Sequence, residues 1–163
     1  MKSVYFEEIH RAGPQYPYLD FDMRNIEYIA HFHEEVEVIY LREGEVSITA
    51  DSKVFSVKKD EICIFLPGEI HSFQSGGENW MYTFKILPAA KLGTPDFSQM
   101  RLESQVLRPG QSGYREIRRA VERIEREAGE KKPGYEYAVA GESFQILAFI
   151  ARLLPKKTVQ PEE

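Results

Sequence analysis

The run His31-Phe32-His33-Glu34-Glu35-Val36-Glu37-Val38-Ile39-Tyr40-Leu41-Arg42-Glu43-Gly44 decides the reading of this chain, and a third histidine follows in Leu66-Pro67-Gly68-Glu69-Ile70-His71. Side chains alternate faces along a strand, so His31, His33 and Glu37 share one side of an extended segment while Phe32, Val36 and Val38 take the other. Two imidazoles and a carboxylate therefore converge on one face. If that face lines a barrel, and the Pro67-Gly68 turn returns His71 to the same interior, three nitrogens and one oxygen look at a common point. Such a donor set holds a divalent transition metal or hydrogen-bonds a polar small molecule.

Outward from this run the chain is a succession of short β-type segments at 27–33, 36–42, 45–50, 53–57, 62–66, 71–75 and 79–87. Turn signals separate them at Gly44, Ala50-Asp51-Ser52, Lys59-Asp60, Pro67-Gly68 and Gly76-Gly77. Strands this short and closely spaced predict a sandwich or small barrel rather than alternating β and α units. In Trp80-Met81-Tyr82-Thr83-Phe84-Lys85-Ile86 the aromatic side is assigned to the barrel interior, with Thr83 and Lys85 facing out. Residues 1–26 read as an N-terminal arm with one or two short strands, 27–88 as the barrel, and 89–111 as a linker that Phe97 and Leu102 pin to the core.

After Gly110 the period becomes helical. Ser112 is placed as the cap of a helix carrying Ile117, Ala120, Val121, Ile124 and Ala128, closed by Gly129. A second helix is expected from about Tyr135 to Leu154, stopped by Pro155. It has two apolar seams, one of Tyr137, Ala140, Phe144, Leu147, Ala151 and Leu154, the other of Val139, Ile146, Ile150 and Leu153. One face suffices to lie on a barrel, so the surplus predicts a homodimer through the hairpin 112–155, the alternative being that the first helix covers it. The tail 156–163 is polar and is expected to be disordered. The fold class is thus mainly β with C-terminal helices.

The chain's 163 residues make one domain, and its formal charge of −5 excludes a nucleic-acid surface on this polypeptide, because phosphate binding needs clustered Lys and Arg. The single cysteine, Cys63, lies in the apolar run Ile62-Cys63-Ile64-Phe65-Leu66 and reads as core in a reducing, cytoplasmic protein. The N-terminus has no secretory pattern, and no window is apolar enough to span a membrane.

The spacing of His31, His33, Glu37 and Gly44 resembles the first motif of the cupin superfamily, and the segment from Asp60 to His71 resembles the second. In the second, Asp60 stands where a Gly is expected and Leu66 where a Pro is expected, so Gly68 and His71 carry the match. Within the cupins the chain looks most like the effector-binding and dimerisation half of AraC-type transcriptional regulators, over about residues 20–155. That resemblance implies a double-stranded β-helix, or jelly-roll barrel, followed by a two-helix hairpin. It also implies a small-molecule effector in the barrel, and DNA contact only through a C-terminal domain beyond this chain.

Three readings of the histidine cluster stay open. His31, His33, Glu37 and His71 can ligate zinc, nickel, iron, manganese or copper. The same four can bind an organic effector directly, with Trp80, Tyr82 or arm aromatics such as Phe6 and Tyr16 stacking on it. Or they bond only to one another and to backbone. His10 in the arm is a weak candidate. Glu35 shares the parity of Glu37, and two carboxylates in a closed interior require that at least one meet a cation or take up a proton. Functionally, the sensor reading competes with a metal-dependent cupin enzyme, a dioxygenase or sugar isomerase, and with a metabolite-binding cupin lacking regulatory output.

Overall fold

The computed structural model describes residues 5–9, 18–88 and 95–157, with side chains from position 22 onward in the second stretch. One five-stranded sheet has the order β1 (Phe6–Glu7), β3 (Tyr28–Phe32), β8 (His71–Ser75), β5 (Glu45–Ala50), β6 (Lys53–Lys58). The other has the order β10 (Val106–Leu107), β7 (Ile62–Phe65), β4 (Val36–Glu43), β9 (Trp80–Ile86), β2 (Tyr18–Arg24). Two helices follow, α1 (Tyr114–Glu130) and α2 (Tyr135–Leu153). Mostly β with two C-terminal helices, the chain forms the jelly roll of the cupin fold.

The turns explain why the strands start and stop where they do. Gly44 has φ +77°, and a Cβ there would lie 2.1 Å from the Glu78 carbonyl oxygen, so only glycine closes the corner between β4 and β5. Asp51 and Ser52 both take positive φ, as a two-residue hairpin between β5 and β6 requires.

Two apolar cores result. Between the sheets, Ile39, Leu41, Val46, Ile48, Cys63, Phe65, Phe73 and Met81 fill the barrel. Outside the second sheet, Val38, Tyr40, Ile62, Ile64, Tyr82, Phe84 and Ile86 pack under Ile117, Val121 and Ile124 of α1 and Val139, Ile146 and Ile150 of α2. The second sheet is therefore buried on both faces. This is why Ile62-Cys63-Ile64-Phe65 is apolar throughout instead of alternating.

The double burial corrects the orientation expected for β9. Its register pairs Lys85 with Glu37 and Phe84 with Val38, so Thr83 and Lys85 face the barrel interior while Tyr82 and Phe84 face the helices. Trp80, on the same side as Tyr82, meets the guanidinium groups of Arg24 and Arg42, 4.3 and 4.7 Å from its ring centroid.

Other boundaries also differ. β2, read as part of an arm, pairs with β9 along its whole length, from Tyr18 opposite Ile86 to Arg24 opposite Trp80. Ser112 does not cap α1, whose N-cap is Gly113; its hydroxyl instead donates to the Leu153 carbonyl at 2.9 Å, satisfying the end of α2. Gly129 does not close α1, which runs on to Glu130 and ends at Lys131 in the left-handed region. Within 89–111, Phe97 and Leu102 are buried and β10 adds a short strand beside β7. Lys156 bridges Leu102, and the Lys157 N–H donates to the Arg101 carbonyl at 2.9 Å, so the start of the expected tail is paired backbone. Positions 158–163, like His10 and Tyr16, lie outside the described residues.

Of the two seams on α2, Val139, Ile146 and Ile150 point inward and are fully buried. Tyr137 is 86% exposed and Phe144 36%, which leaves an outer stripe on the N-terminal half of the helix. Arg123 of α1 holds Glu142 of α2 through two hydrogen bonds of 2.6 and 2.7 Å. Among the described residues no helix is long and apolar enough to cross a membrane.

Candidate metal and ligand site

Residues 31–37 are not one strand. β3 ends at Phe32 in the first sheet, the chain bends through Glu34 and Glu35, and β4 starts at Val36 in the second. His31 sits on β3 directly opposite His71 of β8, Glu37 sits on β4, and His33 occupies the corner, where its carbonyl accepts from the Gly68 N–H at 2.9 Å. The four side chains are buried, and one ligand atom from each lies within 4.8 Å of all the others. Alternation along one strand foresaw the convergence, but a corner between two sheets produces it.

Each imidazole is held by its outer nitrogen. His31 Nδ1 faces the Ile29 carbonyl at 3.0 Å, His33 Nδ1 the Glu35 carbonyl at 3.1 Å, and His71 Nδ1 the Glu69 carbonyl at 2.9 Å. A carbonyl accepts only, so Nδ1 carries the hydrogen and Nε2 is left with a lone pair directed inward. For His33 and His71 that lone pair meets the same oxygen, Oε2 of Glu37, at 2.9 and 3.0 Å. A neutral ring has one N–H and it is already committed. Three nitrogen lone pairs and a carboxylate facing one another repel unless a cation stands between them or protons are taken up. The 2.9 and 3.0 Å separations match those of neighbouring donors around one ion with bonds of about 2.1 Å. The donor set fits a divalent transition metal.

The surroundings hold this arrangement. The His71 ring stacks on Phe65 at 3.9 Å with an interplanar angle of 5°. Phe6 of β1 stacks on His31 at 5.9 Å, and Tyr28 meets His31 edge-on at 4.7 Å. Burial, and next the charge of His71, lower the pKa of His31 to about 4, so this ring is neutral and available as a ligand at pH 7. For Glu37, burial alone would raise the pKa. His33 and His71 at its Oε2, each of which donates there once its Nε2 takes up a proton, and the charge of Lys85 more than reverse it, and the group stays a carboxylate.

Sequence reasoning placed several residues differently. Glu35 does not face the common point: its carboxylate lies 3.4 Å from Nδ1 of His33, behind the ring. Trp80 and Tyr82 are on the opposite face of β9 from the four donors, Tyr82 packed beneath the helices, so neither stacks on anything inside the barrel. Two groups at the site were missed. Lys85 is 5% exposed and is the cross-strand neighbour of Glu37. Glu8 follows β1 and places Oε2 at 2.6 Å from Lys85 Nζ and 3.7 Å from His31 Nε2. The buried aspect of Glu37 was the available signal for Lys85, since a buried carboxylate calls for a cation beside it. No local pattern announces a contact between positions 8 and 85.

Solved structures to which the chain is similar include a cupin-2 domain containing protein and an RmlC-like cupin, both from Shewanella frigidimarina. The first is 18% identical with a TM-score of 0.40, over 43% of this chain and 71% of that one. The second is 14% identical with a TM-score of 0.42, over 48% and 73%. An HTH_3 family transcriptional regulator from Vibrio cholerae matches at 13% identity and a TM-score of 0.42, over 47% of each chain. No curated protein matches the chain at a significant level. The profile of the AraC-like ligand binding domain matches residues 18–147, which takes in β2 through most of α2. With its motif residues gathered at the corner of a jelly roll and the helical pair packed outside it, this chain belongs to the AraC-like ligand binding domain family.

Proposed function

We propose that this domain senses a small-molecule effector on behalf of a transcription regulator, with a divalent transition metal held by His31, His33, Glu37 and His71 as part of the receptor. The family supports ligand sensing. The observation that carries the metal is the common hydrogen-bonding of three histidines: each Nδ1 lies against a backbone carbonyl, which leaves each Nε2 to the cluster that Glu37 completes. Bound there, the ion would supply Lewis acidity to an oxygen of the effector. The protein's own part is to fix the three rings, with Phe65 stacked on His71 and Phe6 on His31, and to keep Glu37 ionised.

The same reading assigns the outer stripe of α2, with Tyr137 and Phe144 exposed, to a homodimer, and DNA contact to a further domain, in keeping with the formal charge of −5 on this chain. Effector binding changes the output only if it favours one arrangement of the N-terminal segment or helices over another. Titrating zinc into chelator-treated protein, followed by elemental analysis after dialysis, tests the metal. One ion per chain is expected, and none after His33→Ala with His71→Ala. Metal content that the double substitution does not change would sink the assignment.

A further inference from the structure

Lys85 is a buried ammonium inside a barrel whose other inward side chains on the same strand are Met81 and Thr83. A charge there is tolerable only beside opposite charge. One partner is built into the wall, Glu37 on the adjacent strand. The other comes from outside it. Glu8 belongs to a segment joined to the barrel by the two-residue parallel pairing of β1 with β3 and by the bond from its own N–H to the Phe32 carbonyl at 2.8 Å. Its side chain is 20% exposed, and it sets a carboxylate between the Lys85 ammonium and His31 Nε2. Its second oxygen accepts from the Tyr28 hydroxyl at 2.8 Å.

We infer that Lys85 anchors a carboxylate of the effector, and that Glu8 occupies this subsite as a built-in competitor. The inference rests on the sensor reading above and gives it a ligand class. A molecule replacing Glu8 must leave Lys85 no worse paired than before, which a carboxylate does and a neutral sugar does not. Thr83 adds a second requirement. It lies two residues before Lys85 on the same face, about 7 Å along the strand, and its fully buried hydroxyl has no hydrogen-bond partner among the described residues. A small carboxylate with a further polar group matches both. Exchanging one carboxylate for another at Lys85 costs the barrel little but removes a contact that ties β1 to it, so the occupant of the subsite sets the hold on the N-terminal segment.

The test excises the competitor and gives it back. In the full chain, Glu8→Ala removes the carboxylate, and propionate supplies the carboxylate of a glutamate side chain as a free molecule. Propionate should raise the thermal midpoint of Glu8→Ala saturably, by about 3–6 °C, and that of the unsubstituted protein by less than about 1 °C. Propionamide and sodium chloride at equal concentration should do neither, and adding Lys85→Met should abolish the response. If the alanine variant does not fold, Glu8→Gln keeps the shape without the charge and should respond in the same direction. Equal stabilisation by propionamide, no response to propionate, or a response that survives Lys85→Met overturns the inference. Zinc uptake is measured in the same samples. A site that takes zinc but does not distinguish propionate from its amide overturns the anchor alone, whereas one that refuses zinc but prefers propionate overturns the metal alone.

Discussion

Acid should unfold the metal-free protein through His31, and the size of the effect follows from where the ring sits. Only 1% of this residue is exposed, and burial with the neighbouring His71 charge brings its pKa from 6.5 to about 4. The folded state therefore disfavours the imidazolium while the unfolded chain accepts it. Stability from this group is complete above pH 6.5 and is lost as the pH falls toward 4. Each pKa unit is worth about 1.4 kcal/mol, so the full loss is about 3 kcal/mol and some 2 kcal/mol of it is spent by pH 5. Glu37, with a lowered pKa, adds its loss only below the ordinary carboxylate range. Glu69 acts in the opposite sense, because burial raises its pKa and folding takes up a proton there as the pH drops. Urea unfolding of chelator-treated protein at steps from pH 7.5 to 4.5 measures the sum. Comparison with His31→Gln, which cannot titrate, isolates the ring. The substituted protein should lose about 2 kcal/mol less than the original between pH 7.5 and 5. Parallel curves for the two proteins would refute the reasoning.

Changing Gly44 to alanine should cost about 2–3 kcal/mol in urea unfolding, because its positive φ and the Glu78 carbonyl 2.1 Å from a Cβ both oppose a side chain; a cost under 0.5 kcal/mol would contradict that corner. Tyr137→Glu with Phe144→Glu should lower the sedimentation coefficient from that of a dimer to that of a monomer without altering the circular dichroism, and an unchanged coefficient would exclude the outer stripe as the interface. Ile150→Asp, by contrast, places a charge in the core beneath α2 and should cost about 3–5 kcal/mol. A stably folded Ile150→Asp monomer would show that this seam, not the outer one, had been covering a partner.

What the sequence discloses and what it conceals divide along one physical line, local against long-range. Strand limits were legible because the turns are chemically marked: Gly44, Asp51, Ser52 and Asp60 all sit at positive φ, where few residues go. Three of the four donors, His31, His33 and Glu37, were legible because parity survives the corner at Glu34-Glu35, and His71 because the Pro67-Gly68 turn marks the chain's return. The one or two short strands expected in the arm are present, but the full-length pairing of β2 with β9 was not legible, since Leu19, Phe21 and Met23, which alternate with Asp20, Asp22 and Arg24, lie among prolines and aromatic residues that suggest an arm. The facing of β9 could not be read from alternation at all. Both sides of that strand are buried, and the aromatic side belongs to whichever apolar layer is larger, here the one under α1 and α2.

Charge decides what hydrophobicity left ambiguous. A buried Glu37 needs positive charge close by, and the strand next to it offers Lys85 on one face and aromatic rings on the other. The same count bears on ligand choice. Among the described groups facing the site, Glu37 and Glu8 bring two negative charges, Lys85 one positive, and His31 none at pH 7. A divalent ion held among them would add two positive charges. Withdrawal of Glu8 would then remove one more negative charge from a largely buried corner, and the excess of positive charge is relieved by an anion. The proposed metal and the carboxylate anchor therefore reinforce one another: the more firmly the four donors hold a cation, the more strongly the space vacated by Glu8 selects a negatively charged replacement.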